Sequence, residues 1–257
     1  MTAMILTIDV GNTHTIIGAY KNEKLVFTSR ISTDRQKTQD EYAVAIRSVL
    51  SLYDADAQNI EGAIISSVVP QVSNLLETAI GRLFSCKVFV VGPGVKTGLN
   101  IKIDNPAQLG ADLVCVSVGA LKKYPLPSIV FDLGTATTIS ALTKNGEMIG
   151  GSILSGVGTA LNALAQGTAQ LPQISLAGEV SVIGSNTVDC MRSGAVIGNA
   201  AMIDGMICRY REILGEDTAV IATGGLASTI VPHCREKITV DDNLLLDGLY
   251  AIYKKNI

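Results

Sequence analysis

The sequence has no tryptophan and only two histidines, His14 and His233. A Ser-His-Asp or Cys-His site needs one of them, and neither sits in a nucleophile motif. His14 reads instead as a loop side chain beside a ligand. The five cysteines, Cys86, Cys115, Cys190, Cys208 and Cys234, are odd in number and form no Cys-x-x-Cys pair. That argues against a metal-binding or disulfide framework and for free thiols in a reducing cytosol. No basic run stands out, net charge is −3 and pI is near 5.4, so neither a nucleic-acid nor a membrane partner is expected. Mean hydropathy is high, at +0.37, yet no apolar run approaches the roughly 20 residues of a bilayer span. The chain enters a strand pattern without a charged n-region or cleavage site, so no signal peptide and a cytoplasmic location are expected.

What is present is a globular core: 47% hydrophobic and 17% charged residues over 257 positions, enough for one large or two small domains. The organising stretch is Ile5-Leu6-Thr7-Ile8-Asp9-Val10-Gly11-Asn12-Thr13-His14-Thr15. Apolar and β-branched residues lead into Asp-x-Gly, which reads as a buried strand ending in a tight turn. Gly11 allows close backbone approach to a ligand, Asn12, Thr13 and Thr15 add short donors, and Asp9 offers a carboxylate for Mg²⁺ against phosphate oxygens.

This stretch has an echo. Ser128–Ile149 lies on Ile5–Val26 without a gap, matching Asp132 to Asp9, Gly134 to Gly11, Thr138 to Thr15, Ile139 to Ile16, Lys144 to Lys21 and Asn145 to Asn22. A single Asp-x-Gly is an ordinary hairpin turn. Two in register at half-chain spacing point to two similar domains, each turn gripping one side of the same phosphates.

Between the copies the pattern predicts a hairpin (Ile16–Tyr20 and Leu25–Ser29), a helix capped by Thr38 with Glu41 three residues on, a strand Gly62–Val69, a helix Val72–Phe84 after Pro70 and a strand Val88–Val91. A helix over Gln108–Lys123 follows, and the domain boundary is placed within it, giving domains 1–113 and 114–257. The second half predicts a further hairpin, a glycine turn at Ser155–Gly158 leading into a helix to Gln166, a long helix Thr187–Arg211, a strand Ala219–Ala222 and a C-terminal helix Leu244–Lys254. Gly224-Gly225 closes the late strand as a third glycine turn, open to an adenine or ribose or simply a strand-to-helix connection. Asp112 opens its helix either as an acid favourable to the dipole, worth about 0.3–1 kcal/mol, or as a general base for a hydroxyl attacking a γ-phosphate. Spacing leaves both readings open.

The chain resembles the type III pantothenate kinases of the actin, hexokinase and acetate kinase superfamily. The resemblance is carried by Asp9-Val-Gly-Asn-Thr, Thr38-Gln-Asp-Glu, Ile65-Ser-Ser-Val-Val-Pro, Gly92-Pro-Gly-Val-Lys-Thr-Gly-Leu, Asn105-Pro, Gly110-Ala-Asp112, Asp132-Leu-Gly-Thr-Ala-Thr-Thr, Leu171-Pro, Ile183-Gly-Ser-Asn-Thr, Ala222-Thr-Gly-Gly-Leu-Ala and Gly248-Leu-Tyr-Ala-Ile-Tyr. It implies an α/β fold of two similar actin-like (ribonuclease H-like) domains with a nucleotide cleft between them. It also implies ATP-dependent phosphorylation of pantothenate to 4′-phosphopantothenate, the first step of coenzyme A synthesis.

The implied roles follow residue by residue. Asp9, Val10, Gly11, Asn12, Thr13, His14, Thr15 and Ile16 would bind ATP phosphates, with Asp9 near Mg²⁺. Gly134 and Thr135 would touch ATP, as would Gly224 and Gly225. Asp112 would be the catalytic base. Asp132 would hold a monovalent cation, K⁺ or NH₄⁺. Gly110, Ala111, Asp112, Leu113 and Thr187 would surround pantothenate, in a homodimer with the acceptor site close to the dimer interface.

The departures cluster on the acceptor side. Leu113 stands where the family has Arg, Ile103 where it has Tyr, Ser155 where it has Pro, and Ser185 where it has Lys. Losing an Arg partner removes a charge-assisted hydrogen bond to a carboxylate acceptor, about 1.5–3 kcal/mol. Two alternatives therefore stand beside the kinase reading: a diverged paralogue that binds ATP in a regulatory role, and a kinase for a different hydroxyl acceptor.

Overall fold

The computed structural model describes residues 4–257. β1 (Met4–Val10) is buried along nearly its whole length, as a strand at the middle of a sheet must be. It runs antiparallel to β2 (His14–Lys21), which pairs with β3 (Lys24–Ser32). Thr38 then caps α1 (Gln39–Leu52), and its side chain and that of Glu41 satisfy each other's backbone N–H groups as a capping box. β4 (Ile60–Ser67) returns parallel to β1, α2 (Pro70–Phe84) starts on its proline, and β5 (Lys87–Val90) lies parallel to β4. The sheet order is β3-β2-β1-β4-β5.

After the short β6 (Asn100–Ile101) and α3 (Ala111–Lys123) the pattern repeats. β7 (Ser128–Leu133), β8 (Ala136–Leu142) and β9 (Glu147–Ser155) form an antiparallel meander. α4 (Val157–Gly167), α5 (Thr187–Leu214), β10 (Ala219–Thr223), α6 (Ala227–Ile230), β11 (Thr239–Val240) and α7 (Leu244–Lys254) complete the chain. The second sheet has the order β11-β10-β7-β8-β9-β6: the first sheet's order with β6 added beside β9. The fold is thus mixed α/β with two sheets of one design.

Side-chain alternation fixes which face each carboxylate takes. Met4, Leu6, Ile8 and Val10 enter a core with Tyr42, Ile46, Val49, Leu76 and Ile80 of α1 and α2, so Asp9 faces the other side of its sheet. Ile129, Phe131 and Leu133 enter a core with Val196, Ile203 and Ile207 of α5, and Asp132 faces away from it likewise.

The repeat is not gapless in three dimensions. Asp9 pairs with Ile16, but Asp132 pairs with Thr138. The first turn spans Gly11, Asn12 and Thr13, the second only Gly134 and Thr135. Thr137, not Thr138, is therefore the counterpart of buried Thr15. The lost residue is regained in the next turn, where Thr143–Gly146 replaces Asn22-Glu23, so the flanking sequences still align.

Two compact units divide the chain. The first takes it through Leu99, with Asn105–Lys122 and Leu244–Ile257; the second holds Asn100–Asp104 and Lys123–Asn243. A boundary near 113 would cut α3, which stays with the first unit together with α7. Glycines explain that pairing. A Cβ on Gly248 would press into the Cys115 carbonyl and one on Gly119 into the Leu244 carbonyl, so α3 and α7 meet backbone to backbone. α7 in turn covers β1 and β4. The observed α3 also begins later than the Gln108 expected from pattern, because Pro106–Gln108 forms a separate 3-10 turn. No helix among the described residues is long and apolar enough to cross a membrane.

Gly248→Ala is expected to destabilise the protein by about 1–3 kcal/mol, since a backbone carbonyl cannot rotate away as a side chain can. The urea midpoint measures it, and an unchanged midpoint would contradict the close crossing.

Candidate active site

In the first unit the chain leaves β1 through Gly11-Asn12-Thr13. The Gly11 N–H donates to the His14 carbonyl at 3.0 Å and the Thr33 N–H to the Thr13 carbonyl at 3.0 Å. Arg35 donates to the Asn12 side-chain oxygen at 3.0 Å, and the buried Thr15 hydroxyl pairs with that of Thr33 at 2.9 Å. The segment after β3 thus braces the turn, while Asn12, Thr13 and His14 stay exposed.

Asp112 stands in the first turn of α3, and its Oδ1 accepts from the Leu113 N–H at 2.8 Å. A side chain at Gly110 would collide with that oxygen, so the glycine keeps room for the carboxylate. One turn on, the Cys115 thiol is fully buried. Burial pushes it well above its ordinary pKa, with the Asp9 carboxylate adding to the rise and Asp112 adding less. Ser66, paired with Asp9 across the sheet, works against this rise in the thiol, although its buried hydroxyl has no partner at normal hydrogen-bond geometry.

The second unit repeats the device with different braces. Gly134 N–H donates to the Ala136 carbonyl at 3.0 Å. The Thr135 carbonyl accepts from the Gly156 N–H at 3.1 Å and from the Thr159 hydroxyl at 2.7 Å. Gly156 occupies the place of Thr33, so the hydroxyl pair of the first unit is lost and buried Thr137 has no hydrogen-bond partner. Gly224 has φ +95, and a Cβ there would stand 2.5 Å from Asp132 Oδ1 and 2.6 Å from the Leu133 N–H nitrogen. The third glycine turn therefore lies directly on the second Asp-x-Gly strand.

Asp9, Gly11, Gly110, Asp112 and Leu113 fall in the first unit, and Asp132, Gly134, Thr135, Thr187, Gly224 and Gly225 in the second. Thr187 is the exposed first residue of α5, behind the Asn186 cap that accepts from the Asp189 N–H. Leu113 is half-buried, as is Ile103 in the segment after β6. Sequence reasoning missed Thr33, Arg35, Ser66, Cys115 and Thr159 as parts of these turns. Only Gly156 carried a signal, in the glycine turn Ser155–Gly158. No group of three His, Cys, Asp or Glu side chains suited to a metal occurs among the described residues.

A family model for type III pantothenate kinases matches residues 5–209. The chain belongs to the type III pantothenate kinase family. A type III pantothenate kinase of Halalkalibacterium halodurans is 42% identical over 99% of this chain and 100% of its own, and one of an Exiguobacterium species is 45% identical over 98% and 99%. Among solved structures, a ROK hexokinase from Thermus thermophilus superposes with a TM-score of 0.54 at 9% identity, covering 99% of this chain and 100% of that one. The activator of 2-hydroxyisocaproyl-CoA dehydratase from Clostridium difficile, with bound ADPNP, gives 0.54 at 15% identity, covering 100% and 96%. Both likenesses give the fold alone, that of actin-like ATPases and sugar kinases. This type III pantothenate kinase family member thus has both Asp-x-Gly turns expected of the fold and Leu113 beside its Asp112.

Gly156→Ala tests the bracing of the second turn. The added methyl would collide with the Gly134 and Thr135 carbonyls, so a loss of about 1–3 kcal/mol is expected on chemical denaturation. Gly158→Ala, which meets nothing, is the control and should leave stability within about 0.5 kcal/mol.

Proposed function

We propose that this protein transfers the γ-phosphoryl group of ATP to pantothenate, giving 4′-phosphopantothenate and ADP, the first step of coenzyme A synthesis. The observation that carries this reading is that Asp112 and Asp9 both belong to the first unit: Asp112 opens α3, α3 crosses α7 at Gly119 and Gly248, and α7 lies on β1, the strand of Asp9. That supports a base held on the same framework as a phosphate-binding turn, as transfer from ATP to a hydroxyl requires. Relatives named type III pantothenate kinase over the full length support it.

In this mechanism Asp112 accepts the proton of the attacking hydroxyl as its oxygen bonds to the γ-phosphorus and the bond to ADP breaks. Backbone N–H groups of Asn12 and Thr13 and of Thr135, with the short side chains beside them, would hold the phosphates and stabilise the charge that spreads over the transferring group, while the Gly11 and Gly134 N–H groups close their own turns. Gly224 and Gly225 admit the adenosine part by close backbone approach. Asp9 would hold Mg²⁺, which neutralises phosphate charge when bound. A single carboxylate per turn suits an ion that takes its other ligands from phosphate and water. Asp132 would hold K⁺ or NH₄⁺ in the same manner. Gly110, Ala111, Leu113 and Thr187 line the acceptor's place, and the protein acts as a cytoplasmic homodimer.

Leu113 favours a second reading. A half-buried aliphatic side chain next to the base cannot pair with a carboxylate, which suits a kinase for a less polar hydroxyl acceptor, or a paralogue that only binds ATP. ADP release measured with Mg-ATP, K⁺ and millimolar pantothenate separates these. Pantothenate-dependent turnover, lowered about 10²–10⁴-fold in Asp112→Asn, is expected; its absence with ATP still bound rejects pantothenate as acceptor. Leu113→Arg is expected to lower KM for pantothenate by one to two decades, from a restored bond of about 1.5–3 kcal/mol.

A further inference from the structure

At the far end of α3 from Asp112 lies a cavity, wholly within the first unit, of about 340 Å³. That volume falls within the range of small-molecule sites, roughly 300–1,000 Å³. Its floor is apolar, from Val118 and Leu121 of α3 and Ala251 of α7. Three lysines also line it: Lys122 at the end of α3, Lys254 at the end of α7 and Lys255 just beyond.

None of these three lysines has a carboxylate within salt-bridge distance among the described residues. The contrast with the next residue is direct, since Lys123 meets Asp241 at 2.6 Å. Lysines in the last turn of a helix offset its dipole, which accounts for one charge per helix end, not for three turned on one hollow. The facing wall is fixed. Asn256 accepts from the Lys96 N–H and donates to the Lys96 carbonyl, both at 3.0 Å, clamping the loop before Gly98 to the chain end. Gly98 has φ +77, and a side chain there would meet first the Lys255 ammonium and then its stem. The glycine thus keeps open the space in which the Lys255 ammonium lies.

We propose that this cavity is a binding site for an organic phosphate, its phosphate held by Lys122, Lys254 and Lys255 and its carbon portion seated on Val118, Leu121 and Ala251. An unpaired cationic lining attracts a multiply charged anion. The apolar floor favours an ester over free phosphate, because carbon surface leaves water on binding. The site is distinct from the one that holds ATP in the proposed function. Lys122 stands about 15 Å beyond Asp112 along α3, at ~1.5 Å per residue.

The full chain, with Mg-ADP in excess to fill the nucleotide site, is titrated by calorimetry with butyl phosphate and with inorganic phosphate at low ionic strength. One additional site is expected, tighter for butyl phosphate, weakened roughly tenfold or more by Lys122→Ala with Lys255→Ala, and weakened again by added salt. Lys24→Ala, on β3, should leave it unchanged. A second measurement needs no charge removal. Lysines reductively methylated with ¹³C keep their charge, and the signals of Lys122, Lys254 and Lys255, assigned from single Lys→Arg variants, should move on addition of butyl phosphate. Undiminished affinity in the double variant, equal affinity for the two phosphates, or movement confined to other lysines would each overturn the proposal.

Discussion

A carboxylate one residue before the end of a central strand is the constraint from which the candidate site follows. At that point in β1 the backbone is still locked on both sides, by β2 and by β4, so Asp9 cannot drift. One residue later the ladder opens and the turn must find other partners for its N–H and C=O groups. The chain meets this demand by bringing back the segment that follows the third strand of the meander. The N–H of Thr33 in the first unit and that of Gly156 in the second donate to equivalent turn carbonyls, those of Thr13 and Thr135. A fixed acid beside a turn held from outside is pre-organised for a phosphate chain, because little ordering is left for the ligand to impose.

The two copies share this plan and differ in what surrounds it. Arg35 and the hydroxyl pair of Thr15 and Thr33 stiffen the first turn through side chains. The second is a residue shorter, and its neighbours are glycines pressed against backbone: Gly156 on the Gly134 and Thr135 carbonyls, Gly224 on Asp132 and Leu133. Side-chain bracing leaves a turn whose outer atoms are donors and acceptors. Glycine bracing instead lets the chain pack close against the turn with no bracing side chain in the contact.

Much of this plan is legible in the amino-acid sequence. Periodicity locates β1, α1, α2, β10 and α7 to within a few residues, since each couples a clean apolar pattern to a cap, a proline or a glycine turn, such as Thr38, Pro70 or Gly224-Gly225. The repeat announces the second sheet because Asp132 and Gly134 keep the spacing of Asp9 and Gly11. Three features resist. β6 and β11 are two residues each, too short to show a period. The one-residue loss after Gly134 is hidden by its compensation before Glu147, so the overlay matches Thr138 to Thr15 while the sheet matches Thr137. Cys115 and Ser66 look like ordinary core residues in sequence. Only the crossing of α3 on α7, which lies on β1 and β4, brings Cys115 under the influence of both acids.

That packing also decides how Asp112 is held. Asp112 has no strand ladder to fix it; its position is that of α3, and α3 is seated by Gly119 and Gly248 on α7, which lies on β1 and β4. The carboxylate on the strand and the carboxylate on the helix are therefore referenced to one sheet, through side-chain-free crossings that tolerate almost no slack. A methyl group added at the crossing would shift α3 as a rod, and a shift of about 1 Å at a reacting group can cost roughly 100-fold in rate. Glycines well away from Asp112 thus set the position of its carboxylate, although neither touches it.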